Sequence, residues 1–208
     1  DQPVPYDEEE ALLNEGYTLI AGLDEVGRGP LAGPVVAGVV ILPQNPKGHW
    51  LSGIRDSKQL TSRQREDACV LIERYASASA TGQASAEEID EIGIVPATNL
   101  AMERALNSLP LLPQFLLLDA FPLPNVDIPQ KAIIKGDAKC LSIAAASIIA
   151  KVTRDRLMTE LDELYPAYGF AGHKGYGSAE HIRLIEELGP CPIHRYSFAP
   201  IRKSGHTR

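Results

Sequence analysis

The sequence has few cysteines, three among 208 residues, and no two of them form a CxxC pair. An odd number of widely spaced thiols argues against a disulfide framework and against a zinc site. We therefore expect Cys69, Cys140 and Cys191 to be small buried thiols, in a protein from a reducing compartment such as the cytoplasm.

Long apolar runs are also missing. No segment approaches the roughly 18 uncharged residues that a transmembrane helix needs. The first ten residues, DQPVPYDEEE, lack the basic and apolar regions of a signal peptide. We therefore expect a cytoplasmic protein with no membrane contact. Its 44% hydrophobic and 23% charged residues suit a globular protein with a real core.

A basic excess, the usual electrostatic sign of a nucleic-acid partner, is absent too, since the net charge is −7. Six of the 27 acidic residues lie in residues 1–16, which contain no Lys or Arg, so the remainder has 21 acidic and 20 basic residues. From Cys191 onward there are four basic residues and no acidic one. A local basic face is therefore allowed, although composition does not demonstrate one.

The order of predicted elements indicates an α/β sandwich around a mixed sheet. Apolar or small-residue segments predict strands over 17–23, 35–42, 75–85 (an edge strand), 115–119 and 131–137, with the first two resembling a hairpin with a long connection. Capping patterns and periodicity predict helices that begin at Thr61, Ser85 and Ser178 and that cover 97–109, after an interruption at Pro96, and 141–166. Residues 1–16 are expected to be an acidic tail, either solvated or a short helix. Residues 17–208 are expected to form one domain, with a small C-terminal helical extension from about 166.

Acidic residues follow three of the predicted strands. Asp24 and Glu25 come after YTLIAGL, Asp119 after FLLL, and Asp137 after KAIIKG. Strand ends are where sites form in α/β sheets. Gathered carboxylates repel one another unless cations neutralise them, and their oxygens suit Mg²⁺ or Mn²⁺. Each acid taken alone is more simply a turn cap or a solvated side chain.

The segments around these acids resemble type 2 ribonucleases H. The resemblance runs in order through GLDEVGRGPLAGPVVAGVVIL, DSKQLT, LLLDAF, KGDAKCLSIAAASIIAKVTRD, YGFAGHKGYGSAEH and HRYSFAPI. It implies a ribonuclease H-like fold, with a central mixed five-stranded sheet flanked by helices. It also implies an endonuclease that hydrolyses the RNA strand of RNA–DNA hybrids. Such an enzyme also incises 5′ of single ribonucleotides embedded in DNA, leaving 3′-hydroxyl and 5′-phosphate ends.

The same resemblance assigns roles to individual residues. It implies that the catalytic and metal-binding carboxylates, holding two Mg²⁺ or Mn²⁺ ions, are Asp24, Glu25, Asp119 and Asp137. It implies that the ribonucleotide at an RNA–DNA junction is recognised by Gly27, Arg28 and Gly29, and that Tyr176 packs on the sugar beside the junction. Phosphate contacts are expected at Ser57, Lys58 and Lys174.

Several residues leave room for another assignment. Asp155 is a rival for the fourth carboxylate, although a salt bridge or a place on the surface of the long helix is favoured for it. His173 and His194 could act as general bases, but structural or positioning roles are favoured because two-metal hydrolysis needs no histidine. Gln59 and Tyr196 depart from the family pattern, where Lys and Arg are common.

Three other functions are weighed against this one: a type 3 ribonuclease H that prefers longer hybrids, a non-catalytic nucleic-acid binder, and a small-molecule phosphohydrolase. A pure binder would gain nothing from acidic residues facing phosphate, and no P-loop supports a phosphohydrolase. The expected partners are RNA–DNA hybrids and DNA containing ribonucleotides. We expect a monomer, and association with a sliding clamp is left open.

Overall fold

Five strands form one mixed sheet in the order β3-β2-β1-β4-β5 in a computed structural model that describes residues 3–208. Strand β1 pairs antiparallel with β2 and parallel with β4, while β3 and β5 are the edges. The strands are β1 (Ile20–Val26), β2 (Val35–Ile41), β3 (Ala78–Ala84), β4 (Phe115–Asp119) and β5 (Gln130–Ile133). The mixed five-stranded sheet, the hairpin and the edge strand are confirmed.

Helices lie on both faces of this sheet. They are α1 (Asp7–Asn14), α2 (Ser62–Tyr75), α3 (Ala86–Ile92), α4 (Ile94–Asn107), α5 (Gly136–Lys139), α6 (Leu141–Leu164), α7 (Phe170–His173), α8 (Ala179–Leu188) and α9 (Ala199–Lys203). Short 3₁₀ helices cover His49–Gly53 and Ser57–Gln59. The capping boxes at Thr61 and Ser85 and the cap at Ser178 are confirmed. Within the described part of the chain, no helix is long and apolar enough to cross a membrane.

The long helix α6 lies directly on the sheet. A Cβ atom at Gly22 would come within 2.2 Å of the α6 backbone, and one at Gly38 within 2.4 Å, so glycine lets helix and strands meet closely at these points. Because side chains alternate along a strand, β2 contributes Val39 to the core under α4 and Val40 to the core under α6. Both faces of β2 are therefore buried.

Three local predictions were wrong. Strand β1 continues through Val26, so Asp24 and Glu25 lie within the strand and not after it, because pairing with β2 extends to Val26. Asp137 does not end strand β5; it lies in the short helix α5, after a turn in which Lys135 has a positive φ. Pro96 does not interrupt α4, because it lies in the first helical turn, where a missing N–H breaks no helical hydrogen bond.

The acidic N-terminal segment contains helix α1, which packs on the rest of the chain. Leu12 and Glu9 are buried. Oε1 of Glu9 accepts the N–H of Ser142 at 2.7 Å and the Cys140 thiol at 3.2 Å, and the carbonyl of Pro5 accepts the N–H of Leu141 at 3.0 Å. The segment thus caps the start of α6. Residues 1 and 2 of the predicted acidic tail lie outside the described residues, and the division at residue 16 stays a prediction.

Candidate active site

The four predicted carboxylates come from three neighbouring segments of the sheet. Asp24 and Glu25 are on the central strand β1, and Asp119 is the last residue of β4, which pairs with β1 in parallel register through Leu23 and Leu118. Helix α5, which carries Asp137, is tied to β4 because the N–H of Gly136 donates to Oδ1 of Asp119 at 2.7 Å. One region of the sheet therefore gathers all four acids.

Burial and mutual repulsion make this cluster hard to ionise. Burial raises the pKa of Asp24 well above its ordinary value, and the negative charges of Glu25 and Asp119 raise it further. Burial also raises the pKa of Glu25, and the negative charge of Asp119 raises it further. In the same way, burial and the negative charge of Asp137 raise the pKa of Asp119. A cation bound among these groups would relieve both effects.

Two of the acids are partly neutralised by basic side chains of the protein itself. Arg28 lies 3.6 Å from Glu25, and Nζ of Lys58 lies 3.3 Å from Oδ2 of Asp137. Across residues 3–208, no group of three His, Cys, Asp or Glu side chains is arranged to hold a metal ion as they stand. Oε2 of Glu25, however, is buried without any hydrogen-bond partner. An all-oxygen donor set with an unsatisfied buried oxygen fits a hard divalent cation, once Glu25 and Asp137 turn from their basic partners.

The three residues predicted to contact phosphate differ in their surroundings. Lys58 is the most accessible, with 81% of its side chain exposed beside Asp137. Ser57 is buried, and its hydroxyl lies 2.9 Å from that of Ser147, which hydrogen-bonds to Asp24. Ser57 therefore supports the wall of the acidic cluster. Lys174 lies in a separate polar cleft, where its amine donates to the carbonyl of Ala171.

The segment that contains Gly27, Arg28 and Gly29 follows β1 directly, so it begins next to the acidic cluster. Tyr176 is 42% exposed and lies on a loop that reaches this segment, because the N–H of Leu31 donates to the carbonyl of Gly175 at 2.8 Å. The structure thus brings the predicted recognition residues together on one side of the carboxylates.

Two fully buried arginines, which the sequence did not single out as site residues, hold these segments. Arg195 donates to the carbonyls of Gly27 at 2.5 Å, Arg28 at 2.9 Å and Gly33 at 3.0 Å. Arg154 donates to three further carbonyls and lies 5.7 Å from the centre of the Tyr176 ring. The carbonyls that accept from Arg154 belong to Ala32, Pro34 and Lys174.

His181 and His194 are buried and hydrogen-bonded to each other, and His173 hydrogen-bonds to the loop beside them. Nε2 of His194 lies 2.9 Å from Nε2 of His181, whose Nδ1 lies 2.8 Å from the carbonyl of Tyr176. The N–H of Gly175 donates to Nδ1 of His173 at 3.0 Å. Burial lowers the pKa of His181, and it lowers that of His194 to about 4. These hydrogen bonds support the Tyr176 loop, which fits the structural role favoured for His173 and His194.

The rival acid, Asp155, pairs with Lys151 at 2.7 Å, one turn earlier on α6. This ion pair is the one expected for it from the sequence, and it faces the polar cleft that contains Lys174.

A groove of about 390 Å³ opens beside the acidic cluster, and the sequence did not predict it. Its lining includes Glu25, Arg28 and Asp119, and it also includes Asn99 of α4 and the exposed ring of Phe121. Periodicity predicted the helix over 97–109 but gave no signal that Asn99 borders a site.

Comparison with known proteins gives a consistent result. The ribonuclease HII family model matches residues 21–201. Ribonuclease HII of Dehalococcoides mccartyi is 52% identical over 195 residues, covering 94% of this chain and 92% of the relative.

Solved structures agree with the observed fold. The crystal structure of ribonuclease H2 from Pyrococcus horikoshii superposes with a TM-score of 0.72 at 31% identity, covering 89% of this chain and 96% of that one. Ribonuclease HII of Archaeoglobus fulgidus, solved in a complex with PCNA, superposes with a TM-score of 0.70 at 25% identity, covering 87% of this chain and 95% of that one. This chain therefore belongs to the ribonuclease HII family and is an endonuclease of the ribonuclease H type.

Proposed function

We propose that this endonuclease hydrolyses the RNA strand of RNA–DNA hybrids and incises 5′ of single ribonucleotides embedded in duplex DNA, leaving 3′-hydroxyl and 5′-phosphate ends. The observation that supports this most directly is the gathering of four carboxylates next to the segment that contains Gly27, Arg28 and Gly29. Cutting chemistry and sugar recognition would then occupy adjacent positions on one surface.

Two divalent ions, Mg²⁺ or Mn²⁺, are proposed to bind among Asp24, Glu25, Asp119 and Asp137. When bound, such ions activate water and stabilise negative charge on a phosphate in phosphodiester hydrolysis. The protein supplies oxygen ligands whose raised pKa values reflect burial and repulsion, and the unpartnered Oε2 of Glu25 is one of them.

Substrate selection is assigned to groups beside the ions. Phosphates carry no information about the sugar, whereas the 2′-hydroxyl distinguishes RNA from DNA at a given position. Backbone groups of Gly27, Arg28 and Gly29 are proposed to approach that hydroxyl, and the Tyr176 ring to pack on the neighbouring deoxyribose. Lys58 is exposed enough to meet a phosphate, and Lys174 would contact phosphate farther from the carboxylates.

The test is cleavage of a DNA duplex with one ribonucleotide, using the chain as it stands with Mg²⁺, with Mn²⁺ and with excess EDTA. We expect one cut on the 5′ side of the ribonucleotide with either metal and none in EDTA. The matching all-DNA duplex is the control and should stay intact. Strong cleavage in EDTA would contradict the two-ion proposal, and cleavage of hybrid without cleavage of the single ribonucleotide would contradict the substrate assignment.

The Archaeoglobus fulgidus relative was solved with PCNA, and association of this chain with a sliding clamp is proposed by analogy alone. Co-elution of this chain with a clamp in gel filtration is the direct test.

A further inference from the structure

Arg195 and Arg154 are unusual because each is a fully buried guanidinium without a carboxylate partner among residues 3–208. Burying an unpaired charge costs free energy unless hydrogen bonds compensate for it. Here the compensation comes from six backbone carbonyls, five of them in residues 27–34. The two guanidiniums also repel one another, and burial and the charge of Arg154 lower the pKa of Arg195 to about 9. Arg195 nevertheless remains charged at neutral pH.

The direction of these carbonyls fixes the direction of the neighbouring amides. A trans peptide is planar, and its C=O and N–H bonds point to opposite sides. The carbonyls of Gly27 and Arg28 point inward to Arg195, and the chain has no cis peptide among the described residues. The N–H groups of Arg28 and Gly29 must therefore point away from the buried guanidinium. Neither N–H has a hydrogen-bond partner within residues 3–208.

We infer that Arg195 is a positioning residue for ribose recognition: by holding the carbonyls of Gly27 and Arg28 inward, it presents the N–H groups of Arg28 and Gly29 to the substrate. This inference rests on the proposed function, in which that segment meets the 2′-hydroxyl. Arg154 extends the same scaffold to the Tyr176 loop, because its donors join the carbonyls of Ala32 and Lys174. A lysine at position 195 would keep the charge, but it lacks the planar set of donors that reaches three carbonyls in fixed directions.

The experiment compares Arg195→Lys with the parent on two duplexes of one sequence. One duplex contains a single ribonucleotide, and its cleavage yields kcat and KM. The other is all DNA, and it yields an inhibition constant as a competitor of that cleavage. The ratio of the inhibition constant to KM measures preference for the ribose. Arg104→Lys is the control, because Arg104 also donates to a backbone carbonyl, that of Gln83, but it lies in the last turn of α4 and pairs with Glu88 of α3.

We expect Arg195→Lys to lower the preference ratio about tenfold, the effect of losing one well-oriented hydrogen bond. Arg104→Lys should leave the ratio at the parental value. A purely structural role would lower the melting temperature and the amount of active enzyme, but would leave KM and the inhibition constant unchanged. A ratio within twofold of the parent would therefore overturn the inference.

A second variant keeps the test decisive if Arg195→Lys does not fold. The ring of Phe198 lies 5.1 Å from the Arg195 guanidinium, so Phe198→Leu loosens that group without removing its donors. A smaller fall in the ratio, about twofold to fourfold, is expected, and no fall would count against the inference. If the parent itself shows no preference for the ribonucleotide, ribose reading by this segment is wrong, and the inference falls with it. That outcome differs from one in which the parent and the variant both prefer the ribonucleotide to the same degree, which would overturn the inference about Arg195 alone.

Discussion

Gly27 and Gly29 lie two residues apart in the proposed recognition segment, but they differ in what a methyl group would meet. A Cβ atom at Gly29 would have no atom within 4 Å, and Gly29 is exposed. A Cβ atom at Gly27 would lie 2.3 Å from Nε of Arg154 and 2.9 Å from the carbonyl of Pro34, on a residue with φ of +91°. The two alanine substitutions should therefore separate folding from substrate approach.

The expected effects on stability have opposite signs. Gly29→Ala should raise the free energy of unfolding by about 0.4–1 kcal/mol, because alanine restricts the unfolded chain. For a chain of this size the melting temperature should rise by about 1–4 °C. Gly27→Ala should cost about 1–3 kcal/mol, because alanine is strained at this positive φ and contacts a buried arginine. The melting temperature should then fall by roughly 2–12 °C.

The assay is thermal unfolding of each variant together with kcat/KM on the duplex that contains one ribonucleotide. Gly29→Ala should lower kcat/KM about tenfold despite its greater stability, since the methyl group stands where the ribose would approach and weakens one hydrogen bond. Gly172→Ala is the control, because Gly172 is also exposed with no atom within 4 Å of its Cβ position. Parental kcat/KM in Gly29→Ala would refute close approach of the substrate at this residue.

Three further predictions concern single residues. Asp137→Asn should remove most cleavage while Asp155→Asn removes little at an unchanged melting temperature; equal losses would contradict the choice of fourth ligand. Tyr176→Ala should weaken cleavage at one embedded ribonucleotide more than cleavage of a continuous hybrid, and an unchanged ratio of the two activities would exclude junction reading. Because the pKa of His194 is lowered to about 4, its contribution to stability is complete above pH 6.5 and lost as the pH falls towards 4. Measured as the difference in free energy of unfolding between the parent and His194→Gln, this contribution should fall by roughly 3 kcal/mol over that range. A difference that does not change with pH would contradict burial of a neutral ring.

Local signals in the sequence predicted helices and strands correctly where the element depends on the residues within it or a few positions away. The apolar run of β2 is buried on both faces, and the caps at Thr61 and Ser85 form within a few residues of chain. The predictions that failed depend on pairing or turns that a local pattern does not encode. Pairing with β2 carries β1 on through Asp24 and Glu25, although these acids suggested that the strand had ended.

The buried arginines illustrate the same limit within the site. The carbonyls that accept from Arg195 belong to residues 162–168 positions away in the chain. A carbonyl is present at every residue, so nothing in the sequence marks which ones a guanidinium will meet. The four acids, in contrast, were recognisable because each follows an apolar run in the sequence and lies in a segment that resembles the family.

The docking of helix α1 bears on where this protein can be shortened. The family model begins at residue 21, so a fragment cut at that boundary would lose both Glu9 and Pro5. The N–H groups of Leu141 and Ser142, at the open end of α6, would then lose their acceptors. That end of α6 follows Asp137 by only a few residues. Fragments for crystallisation or assay should therefore retain residues 5–16, although the family model does not cover them.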